Sequence, residues 1–298
     1  MQHRLNILPR MYVEPGREGA RAPRLDEVAR MRTLARLCAA AEPPWLHGEA
    51  ARRMGERLVL IRRRPGRILD WSGPLGASGE VLRAAYPEVN AVRVAVADMP
   101  RADRQTAAAV RGFWPWRRAA TREVAEVDLM PGAADLVWSN MLLHFGQDPR
   151  ALFARWQQAL AVEGFLMFST LGPGSLPELR TLHRAGRWGE AMAPFIDMHD
   201  LGDMLVQARF ADPVMDQEMV TLTWPDGPAL LRELRQLGAN LSPIRHPGLR
   251  TPRWRERLHE ALCAGASDGR PRLSFELVYG HAFKTAPSPP VQISRSKP

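Results

Sequence analysis

Residues 135–180 read DLVWSNMLLHFGQDPRALFARWQQALAVEGFLMFSTLGPGSLPELR, and their pattern decides the fold class. Asp135 to Trp138 is a short apolar run of the kind that forms a buried strand, and Ser139-Asn140-Met141 interrupts it. Asp148-Pro149 is a helix start, with Asp148 as N-cap and Pro149 at the first helical position, where a missing N–H does no harm. Leu152, Phe153, Trp156 and Leu160 recur at helical spacing and give one apolar face. Glu163-Gly164 is the expected helix end, Gly164 supplying a left-handed cap, and Phe165 to Ser169 is a second apolar run. A strand-helix-strand unit of this length makes a right-handed crossover between parallel neighbours. In open parallel sheets, ligands bind beyond the carboxyl ends of the strands. That edge carries Ser139, Asn140, Thr170 and Leu171.

The remainder of the chain supports one large α/β domain with additions. Its 298 residues are 45% hydrophobic, enough for a normal core. No apolar run is long enough to span a membrane, and the opening MQHRLNILPRMYVEPGREG lacks the apolar centre of a secretory signal. The expected location is therefore the cytoplasm. Cys38 and Cys263 lie far apart, with no spacing suited to metal or redox work, and read as free thiols. The net charge is +9, and 39 of the 41 basic residues are arginine. Such a balance favours an acidic partner. No nucleic-acid module is recognisable, so nucleic acid is not the expected one.

In order, residues 1–24 are a Pro-, Gly- and Arg-rich arm, and residues 25–66 hold two helices, about 25–41 and 47–63. Arg62-Arg63-Arg64 is expected in the last turn of the second, where cations suit the helix dipole. Arg67 to Asp70 reads as the first strand, Glu80 to Tyr86 as a helix, Val92 to Ala97 as the second strand and Glu123 to Val127 as the third. Between them, Arg101 to Val110 suits a helix, and Phe113, Trp114 and Trp116 form an aromatic cluster that suits packing or a lid. Residues 172–197 form an inserted cap opened by Ser175-Leu176-Pro177-Glu178, a capping-box pattern. Met198 to Asp226 then reads as helix, turn and strand, Ala229 to Leu237 as a helix and Ser274 to Phe283 as the final strand. Residues 285–298 are a Pro/Ser tail.

DLVWSN, the EGFLMFST strand, GPGSLPELR, Met198-His199-Asp200, Gly238-Ala239-Asn240 and SFELVYGHAF together resemble class I S-adenosylmethionine-dependent methyltransferases. Within these they are most similar to the malonyl-acyl-carrier-protein O-methyltransferase family of biotin synthesis. The resemblance spans roughly residues 47–284. It implies a Rossmann-like, seven-stranded, mostly parallel sheet with helices on both faces over 67–284. It also implies S-adenosyl-L-methionine as cofactor and an acidic acyl-carrier protein as partner. Cofactor contacts would fall on Asp70, Ser72, Gly73, Gly76, Asp98, Glu126, Val127, Ser139 and Asn140, with Glu126 at the adenine amino group. Thr170, Ser175 and Arg180 would bind substrate, and His144 lies beside the expected methyl-transfer cleft.

The first loop departs from the family pattern. Residues 70–79 read DWSGPLGASG, so the positions of G-x-G-x-G hold Ser72, Pro74 and Gly76. A shifted register uses Gly73, Gly76 and Gly79. Val96 stands where an acid would hold the ribose, with Asp98 two residues later. No tyrosine matches the one that family members place over the cofactor. Two readings follow: an O-methyltransferase acting on malonyl-acyl-carrier protein, or a non-catalytic relative that keeps the fold for ligand binding or assembly.

Overall fold

A computed structural model describes residues 24–96, 123–264 and 269–286. Asp98, the expected helix over 101–110 and the aromatic cluster around Trp114 lie outside them, as do residues 1–23 of the arm and 287–298 of the tail.

Seven strands form one sheet: β1 (Ile68–Asp70), β2 (Val92–Ala95), β3 (Glu123–Ala125), β4 (Ala134–Ser139), β5 (Leu160–Leu171), β6 (Ala211–Thr223) and β7 (Arg272–Phe283). Their order is β3-β2-β1-β4-β5-β7-β6. The first five run parallel, while β7 is antiparallel to both β5 and β6. The direction of winding reverses between β1 and β4, which makes the gap beyond their carboxyl ends the natural ligand crevice.

Alternation along the central strands supplies two cores. Leu136, Trp138, Phe165 and Met167 face α2 (Trp45–Arg57) and α3 (Gly79–Ala85), through Leu46, Ala50, Met54 and Leu82. Val137, Leu166 and Phe168 face the other way, onto Phe153 and Trp156 of α4 (Pro149–Ala159) and Leu201 and Leu205 of α6 (Met198–Gln207). Side chains two apart in a strand share a face, so near-continuous apolar runs are what a doubly covered sheet requires. A third, smaller core sits over the carboxyl edge. It joins Leu34, Leu37 and Cys38 of α1 (Glu27–Cys38) to Leu75, Phe145, Ala193 and Leu241.

The start of α4 is as read from the sequence: Asp148 Oδ1 accepts a hydrogen bond from the Ala151 amide at 3.1 Å, with Pro149 first in the helix. Its end is not. The helix stops at Ala159 because Leu160 already pairs with Ala134 in the sheet. The left-handed residue is Glu163, at φ 72°, not Gly164. Gly164 is there for space: a β-carbon on it would lie 2.9 Å from Ala161 O and 3.0 Å from Asp135 O.

Ser175 does not cap α5 (Pro177–Ala185). Leu176 occupies the cap position at φ 57° with no side-chain bond. Ser175 Oγ instead accepts from the Glu276 amide at 3.0 Å, and Glu178 accepts from the amide and hydroxyl of Ser274. Both expected capping groups therefore tie the cap to β7, because β7 has backbone and hydroxyl donors within reach. Arg62, Arg63 and Arg64 lie beyond α2, which ends at Arg57 and passes through a 3-10 turn, Leu58–Leu60. Between β6 and β7 stand α7 (Gly227–Leu237) and α8 (Pro252–Ala264). The second was not foreseen, although Leu258 and Leu262 are buried at helical spacing and Thr251 Oγ1 accepts from the Trp254 amide at 3.2 Å.

Candidate active site

The loop after β1 turns onto the switch-point crevice and is bonded there. Asp70 is buried, and its Oδ1 accepts from the Ser72 amide at 3.0 Å. Burial raises its pKa against the opposing pull of that amide and of Arg93. The chain then makes a 3-10 turn over Gly73–Leu75, starting from a left-handed Gly73 at φ +59°. Only glycine takes that conformation readily. Gly76 follows, where a β-carbon would overlap Ser72 Cβ. The turn delivers Leu75 into the third core, where it is 1% exposed.

Asn140, at the end of β4 and fully buried, fastens this loop. Its side-chain amide donates to Gly76 O at 2.6 Å and to His47 O at 2.7 Å, and its backbone N–H donates to Ser72 Oγ at 2.6 Å. Its Oδ1 accepts from Ser169 Oγ at 2.6 Å. His47 Nδ1 lies 2.8 Å from Leu75 O, so that nitrogen carries the proton. Trp138 Nε1 donates to Ser78 Oγ at 2.8 Å. Two non-glycine residues at this edge, Ala77 and Met141, are left-handed at φ 50° and 54°. Local backbone strain of this kind collects where a structure overdetermines a loop.

The other expected cofactor residues divide. Glu126 closes β3, and its carboxylate is turned onto Arg155 of α4 at 2.7 Å. Val127 is 80% exposed and stands outside the crevice. Val96, where the family pattern has an acid, is buried among apolar neighbours. Ser139 Oγ is buried and has no protein partner among the described residues.

Beside the crevice lies a small cleft lined by Leu143, His144, Thr170, Pro194, Phe195 and Ile196, with room for about one water molecule. His144 Nδ1 is 3.4 Å from Thr170 Oγ1, and its ring packs against Phe145, Phe195 and His47. Enclosure, and then repulsion from His47, push the His144 pKa down to about 3, so the ring is neutral. Burial holds His47 at about 4 despite its bond to Leu75 O. Arg180 reaches Met192 Sδ at 3.6 Å and is held by no carboxylate among the described residues. Ser175 Oγ donates to Glu276 O and accepts from the Glu276 amide.

Strand order, the acid at the end of β1 and the crevice beyond β1 and β4 define the fold of a class I methyltransferase. Solved structures agree on the fold. The YcgJ protein of Bacillus subtilis matches with a TM-score of 0.50 and 12% identity, over 78% of this chain and 98% of its own. A candidate methyltransferase of Bacillus halodurans matches with 0.51 and 12%, over 78% and 99%. No protein-family model matches the sequence. Curated relatives go further. The malonyl-acyl-carrier-protein O-methyltransferase of Gallionella capsiferriformans is 39% identical over 81% of this chain and 85% of its own length. That of Laribacter hongkongensis is 38% identical over 82% and 84%. The chain belongs to the malonyl-acyl-carrier-protein O-methyltransferase family.

Among the described residues the β1 loop is held close at this edge: Leu75 packs in the third core, both side-chain N–H groups of Asn140 are used within the protein, and Glu126 is paired with Arg155. Sequence reading found the strand-end residues but not His47, Leu75 or Ser169. A lone histidine and a lone leucine carry no signal of such a role, and their partners lie far away in the chain.

Proposed function

We propose that this chain acts in the role of its family, as an O-methyltransferase that esterifies the free carboxylate of a malonyl group carried on acyl-carrier protein. The observation that carries the reading is the kinship itself, 39% identity extending over 81% of the chain and so over both the sheet and the cap. The acceptor side agrees with it. A malonyl carboxylate is ionised at neutral pH and needs no general base, only placement and exclusion of water. Neutral His144 and Thr170 Oγ1 are polar groups in an otherwise apolar cleft, and Arg180, held by no carboxylate among the described residues, could pair with one. The methyl group would come from S-adenosylmethionine, the donor that the family resemblance implies.

The test is direct. Purified chain is incubated with S-adenosylmethionine and malonyl-acyl-carrier protein, and the carrier is examined by intact-mass spectrometry. Appearance of the methyl ester supports the reading; an unmodified carrier at stoichiometric protein sinks it. A second reading, a non-catalytic relative that binds the carrier or another partner, is favoured by the altered β1 loop, with Ser72 and Pro74 at glycine positions and Asn140 bonded across to Gly76 O. It predicts a carrier complex on size-exclusion chromatography with no ester formed.

A further inference from the structure

We infer that the loop after β1 is an internal plug: Leu75 occupies the cofactor crevice, Asn140 latches the loop in place, and α1 straps it down. The identity of the ligand, an adenosine sulfonium, rests on the methyltransferase reading above.

Three independent sets of contacts carry the inference. The crevice lies at the switch between β1 and β4, and the atoms that close it come from both sides: Ser72 Oγ and Gly76 O after β1, and the Asn140 amides after β4. Each of these is a buried polar group satisfied by the closure itself, so opening must find new partners for all of them at once. Leu75 is not an incidental neighbour. It sits at the centre of the third core, against Leu34 and Leu37 of α1, Phe145, and Leu241 of the loop between α7 and α8.

That core is strapped from outside. The Asp26 amide donates to Leu241 O at 2.8 Å, Arg245 Nη1 reaches Asp26 Oδ2 at 2.7 Å, and Arg36 Nη2 donates to Gly238 O at 2.9 Å. These bonds tie α1 to the 238–251 loop, and the third core joins both to the β1 loop. A nucleoside entering the crevice has to expel Leu75 and lift α1 with it. Its apparent affinity falls by the fraction of molecules in the open state.

The test is calorimetric titration of S-adenosylhomocysteine, which binds without turnover, into the full chain and two variants. Hydrogen–deuterium exchange is read over residues 27–38 and 72–78. Leu75→Ala removes the plug. Arg245→Ala loosens the strap from the surface and decides the question if Leu75→Ala does not fold. Expected are weak binding by the parent chain, binding about tenfold or more tighter for Leu75→Ala, a smaller gain for Arg245→Ala, and faster exchange in both segments on binding. Equal affinity in all three proteins, no binding in any, or unchanged exchange on binding overturns the plug. Its failure is separable from that of the methyltransferase reading. Ester formation by the parent chain with no gain in the variants sinks only the plug. Tighter ligand binding by the variants with no ester formed sinks only the reading.

Discussion

Asn140 concentrates the polar cost of the site in one side chain. Four hydrogen bonds converge on it in a fully buried place. Asn140→Leu keeps the volume but orphans Gly76 O and His47 O. It should cost roughly 2–4 kcal/mol of stability, read as a lower urea midpoint with an unchanged slope. His47 sets a pH dependence of definite sign. Its pKa in the fold is depressed to about 4 by burial, so the His47 ring stays neutral in the folded protein where in the unfolded chain it binds a proton. Stability is full above the unfolded value near 6.5 and is lost as pH falls through the window down to about 4, reaching about 2 kcal/mol at pH 5. His144 adds in the same direction. Asp70, whose pKa burial raises, acts oppositely, since protonation relieves it. Replacing His47 by Gln should flatten the fall of Tm between pH 7 and 5; an equal fall in the variant would exclude this histidine as its cause. None of this could be read from the sequence around His47 or Asn140, because their partners are carbonyls about 30 to 90 residues away.

Elements were legible where their ends carry local chemistry. Asp148-Pro149 is such an end, and Asp148→Ala should lower stability by about 1 kcal/mol, checked by thermal melts. The two mistaken caps show the limit. Gly164 has the composition of a helix stop, yet the sheet claims the chain at Leu160, immediately after α4 ends and four residues before Gly164. Ser175 and Glu178 have the spacing of a capping box, yet β7 offers them better partners. Tertiary hydrogen bonding overrode a correct local pattern in both. The β1 loop is the sharper case. Its lost glycines were visible in the sequence, and they say only that a tight cofactor turn is altered. That the altered turn folds inward onto Leu34 and Leu241 depends on elements the loop never meets in sequence.

For the molecule as a whole, charge should govern encounter. An excess of +9 carried almost wholly by arginine attracts an acidic carrier over long range. Complex formation with malonyl-acyl-carrier protein should weaken markedly as sodium chloride rises from about 0.05 to about 0.5 M, chiefly through the association rate measured by stopped flow. Salt-independent association would exclude this steering. The sheet order has a further consequence for how the protein is made. β7 lies between β5 and β6, pairing with β6 from Arg272 to Phe283 and with β5 from Leu277 to Phe283. On the ribosome, β5 emerges about 100 residues before the strand that covers its outer edge, and β6 waits with no neighbour at all. Until residues 272–283 leave the exit tunnel, the half-built sheet exposes two long unpaired edges. The nascent chain should then be a client for holding chaperones throughout the synthesis of α7 and α8, and reach protease resistance only when the sheet is closed from the inside.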